Sequence, residues 1–324
     1  AFGATGEMLD NCVVYGHIIL CALTAFMLQN IFQSFLVTAE RPQLGLAVTV
    51  AAGVTNMILD FVFIAVFHWG IVGAAAATAA SQLIGGLVPL IYFLRPNTSK
   101  LHLVKAKLNA HILGETCING SSELMTNISM SLVNILYNFQ LMHYIGEDGV
   151  AAYGIIMYVS FIFAAIFIGY SIGSAPIIGY HYGAGNHREL KGLFQKSLCL
   201  ITLWNIILTA LAILTAQPLA KIFVGYDIDL TKLTTRALAL YSLSFLFMGY
   251  NIFGSAFFTA LGDGVVSAAI SFLRTLLFQV VAVLILPFLL GIDGIWLAIV
   301  AAELLALIIT VYFFIRKKDD YHYL

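Results

Sequence analysis

The chain has 324 residues, of which 61% are hydrophobic and 10% charged, and its mean hydropathy is +0.97. Soluble domains carry about 25% charge, so this chain has more apolar surface than a water-soluble core can bury, and a soluble globular protein is excluded. Fifteen Lys and Arg against sixteen Asp and Glu leave a net charge of -1, which gives no basic field for nucleic acid and no acidic tail for cations. Cys12, Cys21, Cys117 and Cys199 lie in or beside apolar stretches without paired spacing, which reads as packing and predicts neither a metal site nor a disulfide framework. Residues 1–10 hold Glu7 and Asp10 and no basic residue, unlike a signal peptide.

In chain order, nine apolar runs are long enough to cross about 30 Å of hydrocarbon. They cover about 12–38, 44–68, 71–94, 110–143, 147–181, 190–223, 230–260, 264–290 and 291–315. Lipid offers backbone N–H and C=O groups no partner, so every run is predicted to be a helix: an all-α polytopic membrane protein of nine transmembrane helices. Alternate breaks collect Arg41, then Arg95, Lys100, Lys105 and Lys107, then Arg188 and Lys191, and finally Arg316, Lys317 and Lys318. The opposite breaks hold only Lys221 and Lys232 nearby. The positive-inside rule then places the C-terminus in the cytoplasm of a cell (plasma or inner) membrane. The basic 95–109 linker is also the expected lobe boundary, dividing a partial N-lobe, 1–94, from a C-lobe, 110–324.

An offset of 221 residues aligns Asn30-Ile31-Phe32, Ser34 and Thr38-Ala39 with Asn251-Ile252-Phe253, Ser255 and Thr259-Ala260. The same register pairs Gly70, Gly73, Ala77, Phe93 and Arg95 with Gly291, Gly294, Ala298, Phe314 and Arg316. One ungapped register across three spans predicts that spans 1–3 repeat as spans 7–9, related by a pseudo-twofold axis along the membrane normal. Spans 4–6 have no mate, and the chain opens without Met. The expectation is a truncated form of a two-lobe, 6+6 helix transporter fold; the alternative is a natural nine-helix protein.

Ionisable side chains inside a bilayer cost about 2.5–3.5 kcal/mol each on insertion scales, so each is a functional candidate. Asp60 stands eight residues before the outer end of span 2, about 12 Å deep at 1.5 Å per residue. Asn56 lies one helical turn earlier on the same face, and Thr78, seven residues into span 3, reaches a similar depth. A carboxylate, an amide and a hydroxyl at one level offer hard oxygen ligands for Na+ or a sheltered place for a proton; otherwise Asp60 bridges helices as a packed polar residue. The repeat weakens the second option, because Asn56 and Asp60 map to Leu277 and Val281.

Span 4 carries Asn119, Glu123, Asn127, Ser131, Asn134 and Asn138 within an arc of about 120° at 100° per residue. Such a stripe faces a wet cavity or serves as interhelical hydrogen-bond glue. Tyr137, Tyr153 and Tyr170 are either packing anchors or cation–π partners for a cationic ligand. Glu303 in span 9 and Arg274 in span 8 read as structural; Arg274 is suited to neutralise an acid of another helix, which spacing does not identify. His68, His143 and His181 fall at span ends, as interfacial histidines do, and Gly169, Gly173 and Pro176 permit a bend in span 5. No span holds H-E-x-x-H or an aspartate-rich pair, so no enzyme is predicted.

The run Val54-Thr55-Asn56-Met57-Ile58-Leu59-Asp60-Phe61-Val62-Phe63-Ile64, followed by Trp69-Gly70-Ile71-Val72-Gly73 and Ala74 to Thr78, resembles helices five and six of the multidrug and toxic compound extrusion (MATE) family. Gly149-Val150-Ala151-Ala152-Tyr153-Gly154 and Tyr182-Gly183-Ala184-Gly185-Asn186 resemble the matching signatures of its second lobe. The likeness spans the chain as helices four to twelve of twelve. It implies a monomeric secondary antiporter that exports lipophilic or cationic compounds against entry of H+ or Na+ by alternating access, with no other cofactor. It also implies that Asn56, Asp60 and Thr78 match a first-lobe cation site and Glu123 the seventh-helix acid of other members. Asn119, Asn127, Asn134, Asn138 and Tyr137 are the expected lining of the substrate cavity. The family's first-helix Asp is not in this chain, and its tenth-helix acid has no clear counterpart in span 7. The alternatives are a lipid-linked oligosaccharide flippase of related architecture, which the shortage of buried Arg and Lys disfavours, or an inactive fragment.

Overall fold

A computed structural model describes residues 7–96, 99, 101, 103–104 and 109–324; Lys100, Lys105 and Lys107, on which the basic reading of the linker rests, lie outside the described residues. The chain divides into two compact units, Ala1–Lys107 and Leu108–Leu324. In the first unit, α1 (Glu7–Thr38) is followed by α2 (Pro42–Asp60), which runs without a break into a π-helical turn, π1 (Phe61–Val66), and then by α3 (Gly70–Leu94). The second unit holds α4 (Ala110–Tyr144), α5 (Glu147–Gly183) and α6 (His187–Val224). Next come α7 (Ile228–Ser242), α8 (Phe245–Ala260) and α9 (Gly264–Phe272), which continues through π2 (Leu273–Leu277) into α10 (Phe278–Leu290). The last two helices are α11 (Ile292–Arg316) and the short α12 (Lys318–Tyr321).

Seven helices among the described residues are long and apolar enough to cross a membrane, and eight if α7 and α8, bent by 47° at their junction, form one span. The helix α4 is not among them. Its 35 residues exceed the required length, but the polar stripe lowers its hydropathy. The apolar side chains that such helices turn outward are exposed in the protein and suited to acyl chains, for example Leu46, Phe61 and Leu94. All four cysteines are exposed, which corrects their reading as packing residues: in a membrane helix an apolar stretch has a lipid face as well as a packed one.

The first unit packs along a small-residue seam. A Cβ on Gly86 of α3 would stand 2.4 Å from the Ala25 carbonyl oxygen of α1, and one on Gly85 would meet the Gln29 side chain at 2.5 Å. These glycines let two backbones approach closely, as small residues do between membrane helices. Below them Phe32 stacks on Phe93 at 5.5 Å. Gly86→Ala is expected to cost about 1–3 kcal/mol by overpacking, seen as a lower Tm in detergent, whereas Gly16→Ala, with open space around it, changes little.

The second unit has two apolar clusters, one around Trp296, Phe245 and Ile156, the other around Phe194, Phe257, Phe258 and Phe314. The C-terminal turn folds back over the latter: Tyr323 is fully buried and its hydroxyl donates to the Phe314 carbonyl at 2.9 Å. Tyr321 donates to Asp263 Oδ2 at 2.8 Å, and burial together with that carboxylate pushes the Tyr321 pKa up, so the hydroxyl remains a donor. Helices α8 and α9 are joined by hydroxyl contacts, Ser255 with Ser267 at 2.9 Å and with Ser271 at 2.8 Å.

Candidate functional site

In the first unit Asp60 is the last α-helical residue of α2, and the wider π turn starts immediately after it. Such turns change the direction of side chains relative to the helix before them and are common at functional sites. The Asp60 side chain is half-buried and makes no hydrogen bond or ion pair among the described residues. One turn earlier, the Asn56 amide nitrogen is buried without a hydrogen-bond partner. On α3, the Thr78 hydroxyl donates to its own helix at Ala74 O, 3.0 Å, and keeps its lone pairs. One turn further, Gln82 has a buried side-chain oxygen with no partner. No hydrogen bond joins Asn56, Asp60 and Thr78 to one another. A cavity of about 1040 Å³ in this unit lies elsewhere, bounded by Glu40, Arg41, Tyr92, Arg95 and Pro96.

In the second unit the α4 stripe is mostly open: Glu123, Asn127, Ser131 and Asn134 are exposed, and Asn119 and Asn138 partly so. Little of it acts as glue between helices. Asn127 donates to the Glu123 carbonyl at 2.8 Å and Asn138 to the Asn134 carbonyl at 2.9 Å, both one turn back on the same helix. Two members reach other helices: Asn119 donates to Thr259 O at 3.2 Å, and Asn134 Oδ1 accepts from the Tyr153 hydroxyl at 2.8 Å. Tyr137 faces inward, stacked on Tyr153 with centroids 5.0 Å apart and planes 7° from parallel. Its hydroxyl is buried and unpartnered. The Glu123 carboxylate, like that of Asp60, has no partner among the described residues.

The strongest polar cluster was only half visible from the sequence. Glu303 of α11 is fully buried, and Arg274 of π2 clamps it: Nε lies 2.8 Å from Oε1 and 3.0 Å from Oε2, and a terminal guanidinium nitrogen 2.8 Å from Oε1. Asn251 of α8 donates to Glu303 Oε2 at 2.7 Å and to its carbonyl at 2.9 Å, and Thr310 donates to Asn251 Oδ1 at 2.9 Å. Sequence reasoning singled out Glu303 and Arg274 without pairing them and missed Asn251 and Thr310. The signal for Asn251 was its identity with Asn30 in the repeat.

Long apolar helices with carboxylates, amides and a guanidinium inside them define a polytopic membrane protein. The chain belongs to the MatE family, whose profile matches residues 124–285. Multidrug export protein MepA of Staphylococcus saprophyticus is 28% identical over 256 residues, covering 76% of this chain and 56% of the relative. MepA of Staphylococcus aureus strain MSSA476 is 25% identical over 307 residues, covering 94% and 67%. The chain thus spans little more than half the length of the first of these. Among solved structures, MATE in complex with MaL6 superimposes with a TM-score of 0.92 at 21% identity, covering 98% of this chain and 72% of that one. An outward-facing multidrug resistance MATE family transporter of the MOP superfamily gives 0.90 at 22% identity, covering 98% and 72%. At these identities the likeness concerns the fold.

Proposed function

We propose that this chain works in a secondary active multidrug efflux antiporter, exporting lipophilic or cationic compounds against H+ or Na+ by alternating access. The observation that carries this reading is Asp60: a half-buried carboxylate in an apolar helix, without a cationic partner among the described residues, one turn from an unpartnered amide. A carboxylate in that setting needs a proton or a small cation to neutralise it. Asn56, Thr78 and Gln82 would add neutral oxygen atoms around it, and Glu123 is a second cation-binding acid. The α4 stripe with Asn119, Asn127, Asn134 and Asn138, backed by Tyr137, would line a wet substrate cavity. In this reading α4 is a further span, giving nine, the protein is a monomer in the plasma membrane, and the C-terminus is cytoplasmic. The MepA relatives, named as multidrug exporters, support the substrate class.

The energetics suffice. One charge crossing 100 mV releases about 2.3 kcal/mol and tenfold accumulation costs about 1.4 kcal/mol, so one ion is enough for at least about tenfold accumulation of a neutral substrate. For a monovalent cation exchanged one for one the voltage cancels and the ion gradient alone drives export. The test is efflux of a fluorescent cationic dye from proteoliposomes with a sodium gradient and a pH gradient imposed separately. Efflux that follows one of the two is expected; efflux indifferent to both would reject antiport.

A further inference from the structure

The two units treat their buried acids in opposite ways. In the second, every oxygen of the Glu303 carboxylate is engaged by Arg274 or Asn251, and Asn251 is in turn engaged by Thr310. In the first, the repeat mates of Arg274, Glu303, Asn251 and Thr310 are Gly53, Gln82, Asn30 and Pro89. The guanidinium, the carboxylate and the hydroxyl all disappear together. What remains there is a Gln82 oxygen and an Asn56 nitrogen without partners, and Asp60, which has no cationic partner among the described residues.

We infer that Arg274 is a built-in cation: it occupies at Glu303 the place that an exchangeable ion takes at Asp60, and so closes the second unit's deepest acid to ion exchange. This rests on the reading of Asp60 as a cation site. Three observations place Arg274 in that role. Its contact is a bidentate clamp on a carboxylate that is 0% exposed, so the charge it neutralises has no solvent of its own. Its own side chain is only 14% exposed, so the neutralising charge is itself largely withdrawn from solvent. It projects from a π turn, π2, as Asp60 adjoins π1, although the two turns are not register mates. Asn251, held in turn by Thr310, already sits on the same carboxylate, and the two carboxylate oxygens released by the guanidinium are hard donors of the kind that small cations prefer.

Shortening Arg274 should therefore create a cation site. The experiment counts Na+ binding to the purified protein at alkaline pH, with radioactive sodium as the probe, for the parent, Arg274→Ala, Arg274→Ala with Glu303→Gln, and Asp60→Asn. Arg274→Ala is expected to bind one more Na+ per protein than the parent, the added Glu303→Gln to abolish the gain, and Na+ to raise the Tm of Arg274→Ala more than that of the parent. Arg274→Gln, which keeps bulk and a donor facing Glu303, is the substitute if the alanine variant does not fold. An unchanged count in a folded variant, or a gain that survives Glu303→Gln, overturns the inference. Asp60→Asn separates the two readings: its failure to alter ion binding or ion-coupled efflux would sink the Asp60 assignment while leaving the Arg274 result intact.

Discussion

Asp60→Asn is expected to abolish coupled export. The substitution keeps the shape of the side chain and its place before π1 but removes the charge that a proton or Na+ would neutralise. Asp60 is bonded to no other described residue, so no described residue loses a partner and stability should change by less than about 0.5 kcal/mol, read as a nearly unchanged Tm. Coupling, by contrast, loses its ion. The dye gradient that the imposed ion gradient sustains collapses to passive leak. The readout is steady-state dye accumulation in vesicles under an imposed ion gradient, with wild-type protein and unloaded vesicles as references. Retention of the full gradient by a folded Asp60→Asn would remove this residue from the mechanism.

Glu303→Ala should have the reverse profile, a large loss of stability. Removing the carboxylate leaves the Arg274 guanidinium in a largely dry site, and Asn251 loses one of its two acceptors on Glu303. Breaking one side of a buried ion pair costs about 3–5 kcal/mol, because the surviving charge is uncompensated. Replacing both partners with neutral residues of similar size, Arg274→Met with Glu303→Gln, costs much less, since no charge is stranded. Thermal melts of the parent and the two variants in one detergent check the ordering. A single Glu303→Ala no less stable than the double variant would contradict the electrostatic account of this cluster.

The helices were legible because lipid imposes a length and leaves the backbone no alternative. Other features carry no such mark. The run Phe61 to Val66 has neither proline nor glycine, and its composition does not distinguish a π turn from an α-helix. The 47° bend between Ser242 and Phe245 likewise lacks a breaking residue, and its repeat mates in α1 lie inside one unbroken helix. Pairing Arg274 with Glu303 required the packing of α11 against π2, 29 residues apart in sequence. The period of the α4 stripe gave its arc but not its bonding: asparagines that satisfy themselves on carbonyls one turn back look the same in sequence as asparagines that bridge helices. Asp60 stood out in sequence because an acid in an apolar run is costly, yet its lack of a partner is a property of the folded unit alone.

The most direct measurement is simultaneous recording of dye exit and cation entry in the same proteoliposomes, with an outward dye gradient as the sole driving force. Dye exit should pull H+ or Na+ inward in wild-type protein, and Asp60→Asn should lose that entry. Dye leaving without any accompanying cation, or equal entry in the Asp60→Asn protein, would contradict an exchange carried by this carboxylate.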